Sequence, residues 1–401
     1  MLIFFFLVAS SSAQRPGWRH GKWIMGPSAP EDVKEEWPRR PPMFTRPSEH
    51  NKSPVESHRP PEAVRNITAV DLGAPLWPSI KHRPQADVVT GLALNYKEAS
   101  HRYFVGSLRK AGYRGDVVIV TEPEPQVASA AYLQSMGVIA YGIEPKCSAK
   151  GGSIKHKTCE WKDGQPPLPL AIIRHACYLA IALKYDDISN FYVADYRDTF
   201  FQSDPFESRL RGLDLVLFAE HFPFKQIGNC PFNGGWVRNC WGRAVYDAFK
   251  EKVVLCSGSY MGSKEGIVNF EKTLLASVLK DDCHQKGVPS DQGYLNYLYY
   301  AGLLPKETSV QDRGYGVVNT VGSLDGSRPR QAGYLPKTHV NIGEYWQIRD
   351  HQGYVLQDDK ITRSPVVHQY DRFHIEFRDF VTKLGNCDAP SCYQHDEQII
   401  S

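Results

Sequence analysis

From residue 87 onward, short apolar runs alternate with longer runs of helical spacing, and this alternation limits the fold more than any other feature of the chain. "DVVTGLALNY" (87–96) is almost continuously apolar, as a strand buried on both faces must be. "KEASHRYFVGSLRKAGY" (97–113) follows as a helix ending near Gly112. Then come "GDVVIVTE" (115–122) as a second strand, "VASAAYLQSMG" (127–137) as a second helix and "VIAYGIE" (138–144) as a third strand. Beyond a loop at 145–169 lie a long apolar helix, "LAIIRHACYLAIALKY" (170–185), and a further strand, "NFYVADYRD" (190–198). Strands separated by helices cannot pair as tight hairpins. Each must cross a face of the sheet and return beside an earlier strand, running the same way. The pattern predicts a Rossmann-like α/β fold, a mostly parallel sheet flanked by helices.

The last of these strands ends on Asp195-Tyr196-Arg197-Asp198 and resumes with Phe200-Phe201. Charge is costly at the end of a buried strand unless something compensates it. Open parallel sheets bind ligands outside the carboxyl ends of their strands, which is where this motif falls. Two carboxylates at that spacing can hold a divalent cation through oxygen ligands, and the cation can hold a diphosphate. The same residues would also make a capped turn, with Asp195 on backbone amides and Asp198 paired with Arg197.

Other segments carry weaker signals. "PFNGGWVRNCWG" (231–242) sets Asn233-Gly234-Gly235 among aromatics, where glycine permits either close approach to a ligand or a tight hairpin turn. "LCSGSYMGSKEGI" (255–267) has Gly258 and Gly262 but lacks the lysine–threonine pair of a phosphate-binding loop. In "VPSDQGYLNYLYYAG" (288–302), Ser290 is a good helix N-cap and Asp291 sits where the helix dipole favours an acid. Those rules explain Gln292 less well. In "SPVVHQYDRF" (364–373), His368 follows two valines at a strand end, as a structural histidine or a ligand would.

Residues 14–84 are rich in proline and charge without sustained periodicity, and read as a disordered or loosely wrapped stem. The opening "MLIFFFLVASSSAQ" has a short apolar run followed by small residues at Ser11 and Ala13, which predicts a signal peptide over 1–13, although no positive residue precedes the run. The run falls short of the roughly 20 residues a membrane span needs, and no later segment reads as a span. The expected division is therefore 1–13 signal peptide, 14–84 stem, 85–385 folded domain and 386–401 tail. Sequons at Asn51 and Asn66 fall in the stem. Nine cysteines fit an oxidising compartment. Local pairing would join Cys147 to Cys159, Cys230 to Cys240, Cys256 to Cys283 and Cys387 to Cys392, leaving Cys177 free, though spacing does not fix connectivity. A formal charge of +3 gives no ground for a nucleic-acid partner.

Taken together, these segments resemble a GT-A fold nucleotide-sugar glycosyltransferase, of a eukaryotic family with an Asp-x-Arg-Asp type of acidic motif. The likeness spans about residues 86–380 and rests on "FYVADYRDTFFQSDPF", followed in order by the Asn-Gly-Gly segment, "CSGSYMGS", "DQGYLNYL" and "VVHQYDR". It implies a GT-A domain with Mn2+ or Mg2+ as cofactor, a nucleotide-diphospho-sugar donor, and a glycan or glycoprotein acceptor in the Golgi lumen or outside the cell. By that resemblance Asp195, Asp198 and His368 hold the metal, and Asp195 also lies near the donor ribose. Arg174 contacts the donor, and Thr90, Gly91 and Leu92 receive the base. Asn233 and Gly234 are the expected site of close backbone approach. Asp291 would be the general base of an inverting reaction; in a retaining one Asp291 or Gln292 would face the reacting sugar. The usual motif is Asp-x-Asp, so the extra residue here leaves open which acid touches the metal first. The short signal also replaces the usual long anchor. Two other readings stand beside this one. A nucleotidylyltransferase would carry a glycine-rich basic loop after the first strand, where "GLALNYKEAS" has one glycine and one lysine. The other is a secreted carbohydrate-binding protein on an inactive transferase scaffold.

Overall fold

The computed structural model describes residues 69–148, 158–161, 166–207, 210–221, 225–281, 283, 290–305, 307–324 and 349–388. The expected signal peptide, both sequons and the stem before residue 69 lie outside the described residues.

Strand β1 is Val88–Leu92, and α1 (Glu98–His101), a π-helical turn (Arg102–Gly106) and α2 (Ser107–Lys110) run on as one continuous helical stretch. Next come β2 (Asp116–Thr121), α3 (Val127–Ser135) and β3 (Val138–Gly142). The expected loop at 145–169 contains three short strands, β4 (Lys146–Cys147), β5 (Thr158–Glu160) and β6 (Leu168–Pro169), paired in a sheet of their own. The chain continues through α4 (Leu170–Ala182), β7 (Asn190–Ala194), β8 (Thr199–Phe201), β9 (Leu215–Ala219), α5 (Pro231–Phe249) and β10 (Leu255–Ser263). It ends with α6 (Lys264–Asp281), α7 (Asp291–Tyr300), β11 (Thr308–Gln311), β12 (Val318–Thr320), β13 (Val366–His368) and α8 (His374–Gly385).

Seven strands form the main sheet, in the order β11-β9-β10-β7-β1-β2-β3. All run the same way except β10, which is antiparallel to both neighbours. Alternate residues of each strand feed opposite faces. Val118, Val120 and Ile139 pack with Ile172 and Leu179 of α4 and Leu274 of α6. Val117, Ile119 and Val138 pack on the other face with Phe104, Leu108 and Leu133. Both faces are covered by helices, so the strands read as unbroken apolar runs. The chain steps outward from β1 to β2 to β3, then returns to place β7 on the other side of β1. That reversal makes a switch point between β1 and β7, and a crevice at their carboxyl ends. A second sheet, β12-β13-β8, is built from the continuation of β7 and from chain more than a hundred residues later.

Cys147 is bonded to Cys159 as expected, but Cys240 is bonded to Cys283. The expected Cys230–Cys240 and Cys256–Cys283 pairs do not form, and Cys177, Cys230 and Cys256 are free and buried. Cys230 caps α5 and Cys240 lies ten residues along it, about 15 Å at helical rise, far beyond disulfide reach. Cys256 lies within β10 at the centre of the sheet. In the chain-entropy account a cross-link spanning 43 residues is worth about 4 kcal/mol. Cys387 is also disulfide-bonded. No helix among the described residues is long and apolar enough to cross a membrane.

Residues 69–84 form no helix or strand, yet they are fastened to the domain. Leu72 and Ile80 are buried in the core, the Leu76 amide donates to the Ala140 carbonyl at 2.8 Å, and Arg83 pairs with Asp116 at 2.7 Å. His82 is hydrogen-bonded to the hydroxyls of Tyr141 and Tyr185. A chain starting at residue 69 is therefore expected to melt cooperatively. One starting at residue 85 should lose about 4 kcal/mol, the burial of two large aliphatic side chains. Chemical denaturation of the two truncations checks this, and equal midpoints would show that the segment adds nothing.

Candidate functional site

Strand β7 ends at Ala194, and Asp195 to Asp198 carry the chain from the main sheet into β8. β8 pairs antiparallel with β13 in a register that sets His368 opposite Thr199. Asp198, one residue before Thr199, thus meets a histidine that is remote in sequence. The His368 ring, fully buried, has Nδ1 3.0 Å from Thr199 Oγ1 and 3.8 Å from Asp198 Oδ1. One ligand atom each from Asp195, Asp198 and His368 can be chosen so that all lie within 4.8 Å of one another.

Three further features fit a cation there. His368 Nε2 is buried with no hydrogen-bond partner among the described residues, an expensive state for a ring nitrogen. The tautomer that leaves Nε2 free as a ligand has Nδ1–H donating to Thr199, a common way to orient a metal-binding histidine. Gly258 supplies the room. A Cβ built there would lie 2.6 Å from both Asp195 Oδ2 and His368 Nε2, so those two atoms face each other across the glycine. Gly258 sits where the β10 register slips against β9 between Cys256 and Tyr260, and its carbonyl accepts from the Asp195 amide at 2.7 Å. The donor set of two carboxylates and an imidazole suits Mn2+ and related divalent ions.

The two acids differ. Burial raises the Asp198 carboxyl, the nearby Asp195 and Asp371 push it further, and His368 and Arg197 only partly offset this. Asp195 also pays for burial, but Arg174 and then His368 outweigh that cost and hold it below its ordinary value. The capped-turn alternative had Asp198 neutralised by Arg197. Arg197 pairs more closely with Asp371, at 2.8 Å, and reaches Asp198 only at 3.9 Å, a long ion pair that offsets the burial of Asp198 in part.

Behind Asp195 lies a line of buried charges. Arg174 on α4 bonds Asp195 through Nη1 and Asp291 through Nη2 and Nε, the latter at 3.0 Å. Asp291 Oδ2 also meets His175 Nε2 at 3.2 Å, and its Oδ1 accepts from Ser257 Oγ at 3.2 Å and the Gln292 amide at 2.8 Å. His175 Nδ1 lies 2.6 Å from Glu271 Oε2, and the Tyr260 hydroxyl donates to the other Glu271 oxygen. Burial works to lower the His175 pKa, but Glu271 and Asp291 outweigh it and raise it to about 8. Burial likewise opposes charge on Asp291, and Arg174 and His175 overcome it, holding the carboxyl far below the usual range. Asp291, the expected general base, is thus bound on all sides by Arg174, His175, Ser257 and the Gln292 amide. Gln292 Nε2 donates to Glu220 Oε1 at 2.8 Å, and Lys225 pairs with the other Glu220 oxygen.

Thr90, Gly91 and Leu92 form the carboxyl end of β1 beside this site; a Cβ on Gly91 would lie 2.9 Å from the Ala194 carbonyl. Asn233 and Gly234 do not form a turn open to a ligand. Pro231 starts α5, and both residues lie in its first turn. Asn233 Nδ2 donates to Cys230 Sγ at 3.3 Å, and Gly234 seats the helix against the Ile227 carbonyl. His175, Glu271, Glu220 and Lys225 are absent from the residues expected from sequence, and Gly258 is noted there only as a glycine of a weak segment. Glu220 could have been expected: "DLVLFAE" is an apolar run ending on an acid, the signal that marked Asp195. The others sit among residues of ordinary helix or strand composition.

Gly258→Ala is expected to remain folded, at the 1–3 kcal/mol cost typical of overpacking, and to lose Mn2+ affinity by roughly tenfold or more. Calorimetric titration with Mn2+ beside a thermal melt tests this; wild-type affinity would show that the glycine makes no cradle. His175 makes a separate prediction. Its folded pKa of about 8 lies above the unfolded 6.5, so its contribution, about 2 kcal/mol, is complete below pH 6.5 and lost as pH rises through 8. Denaturation midpoints at pH 6.5 and 9 should show that loss in the wild type and not in His175→Gln.

No protein-family model matches the chain, and no curated protein matches it. Among solved structures it is similar to the glycosyltransferase GlyE of Streptococcus pneumoniae TIGR4, at 15% identity over 71% of this chain and 55% of that one, with a TM-score of 0.37. It is similar to the bifunctional glycosyltransferase WbbM, at 11% identity over 75% of this chain and 52% of that one, TM-score 0.40. It is also similar to the galactosyltransferase LgtC, at 13% identity over 78% of this chain and 98% of that one, TM-score 0.39. The chain matches about half the length of the first two. Likeness this distant transfers no residue roles.

Proposed function

We propose that the chain is a metal-dependent GT-A glycosyltransferase, moving a sugar from a nucleotide-diphospho-sugar to a glycan or glycoprotein in the secretory pathway. The observation that carries this reading is the meeting of Asp195, Asp198 and the unpartnered His368 Nε2 at a parallel-sheet switch point. An inactive sugar-binding scaffold has no need to keep two acids together with a bare, buried imidazole nitrogen. A nucleotidylyltransferase has no support in the segment after β1, where Asn95 turns the chain without a glycine-rich loop.

Transfer breaks the bond between the anomeric carbon and a diphosphate, and negative charge grows on the leaving oxygen. A divalent cation held by Asp195, Asp198 and His368 would supply positive charge for that oxygen. Thr90 to Leu92 end next to Asp195 and would line the base and ribose. The ends of β7 and β9 are two strand spacings apart, about 10 Å, with β10 between them. Gln292, fixed by Glu220, stands on the far side of that gap and would meet the sugar. Arg174 orients Asp195 and Asp291, and Thr199 orients the His368 ring. The disulfides suit an oxidising, lumenal or secreted setting.

A thermal-shift screen of nucleotide sugars with and without Mn2+ tests the reading. A stabilising donor should need the metal, and Asp198→Asn and His368→Ala should each weaken it by at least about tenfold. Unchanged metal-dependent affinity in both variants would remove the metal site. Stabilisation by free sugars without nucleotide would favour the inactive scaffold.

A further inference from the structure

We infer that Arg174 competes with the cation for Asp195, and that Asp291 holds Arg174 in check; this rests on the metal reading above. Arg174 is nearly buried and each of its three nitrogens is directed at an acceptor: Nη1 at Asp195 Oδ1, Nε and Nη2 at Asp291 Oδ2, and Nη2 also at the Ser257 carbonyl, 3.3 Å away. Asp195 is thereby divided. Its Oδ1 faces the guanidinium and its Oδ2 faces His368 Nε2 across Gly258. A fixed positive charge therefore stands one carboxylate away from the place where a divalent cation would sit. Two cations sharing one carboxylate in a buried place repel each other.

The rest of the line limits that competition. Asp291 faces Arg174 with the same oxygen that meets His175, and Ser257 and the Gln292 amide pin its other oxygen. It cannot turn toward the metal ligands without breaking its bonds to Arg174, His175, Ser257 and the Gln292 amide. The charge on His175 is balanced in turn by Glu271. Each buried cation thus has an acid of its own, His175 with Glu271 and Arg174 with Asp291. That leaves Asp195 Oδ2, facing His368, and the carboxylate of Asp198 for a divalent ion. In this account Asp291 is a positioning residue that sets cation affinity without touching the cation.

The test is titration of the full chain with Mn2+ alone, following free Mn2+ by electron paramagnetic resonance. Arg174→Gln should bind Mn2+ about tenfold more tightly, the size expected when a partly screened neighbouring charge is removed. Arg174→Lys, which keeps the charge, should stay within about twofold of wild type. Asp291→Asn should bind about tenfold more weakly, because Arg174 then has Asp195 as its main counter-charge. The double variant Arg174→Gln/Asp291→Asn should bind at least as tightly as wild type, closing a double-mutant cycle. A purely structural part for Arg174 predicts that Arg174→Gln loosens the site, and weaker or equal binding by that variant overturns the inference. If Asp291→Asn does not fold, the contrast between Arg174→Gln and Arg174→Lys decides alone. A wild-type chain that binds no Mn2+ overturns the metal reading and the inference with it. Wild-type binding with all variants equal overturns the inference only.

Discussion

The guanidinium of Arg174, shared between Asp195 and Asp291, fastens three parts of the domain at one point: helix α4, the end of β7 and the start of α7. Burying such groups costs several kcal/mol per ion, and removing one partner of a buried pair typically costs 3–5 kcal/mol. The line stands only because it is complete. Glu271 takes His175 and the Tyr260 hydroxyl, His175 and Arg174 take Asp291, and Arg174 takes Asp195. The same contacts fix α4 against α6, since His175 and Glu271 come from those two helices. A purely apolar seam could be as stable, but it would leave the orientation of Asp195 to chance.

The site itself is a product of register. β8 and β13 pair so that His368 faces Thr199, and a slip of one residue would turn the imidazole to the opposite side of the small sheet. The slip between β10 and β9 works in the same way. It frees Ser257, Gly258 and Ser259 from pairing with β9, so that Ser257 reaches Asp291 and Gly258 lies flat beneath the two facing ligand atoms. Irregularity of this kind weakens a sheet locally. Here it comes with a second set of bonds, including the Asp195 amide to the Gly258 carbonyl.

Much of the fold was legible in the sequence, because periodicity is a local property. The strands at Val88–Leu92, Asp116–Thr121, Val138–Gly142 and Asn190–Ala194, and the helices between them, follow from apolar runs and helical spacing that any short window displays. The placing of Asp195 and Asp198 at a strand end follows from the same reading, and so does Ser290 as the cap of α7, where its side chain accepts from the Gln292 amide. Misreadings arose where local chemistry permits two outcomes. Asn233-Gly234-Gly235 looks like a turn, but Pro231 and the helical run that follows carry it into α5. Cys230 and Cys240 look like a local pair until a helix separates them.

What the sequence by itself determined is the alternation that forces a parallel sheet, and the acids that end its central strand. Only the tertiary structure decided that His368 stands beside Asp198, that Gly258 leaves space between Asp195 and His368, that Cys240 joins Cys283, and that Asp291 is bound to Arg174 and His175. The reason is physical. A residue's secondary structure depends on neighbours a few positions away, but its charge partners depend on which strands and helices pack together. That packing is set by the burial of the whole core, and no short stretch of chain contains it.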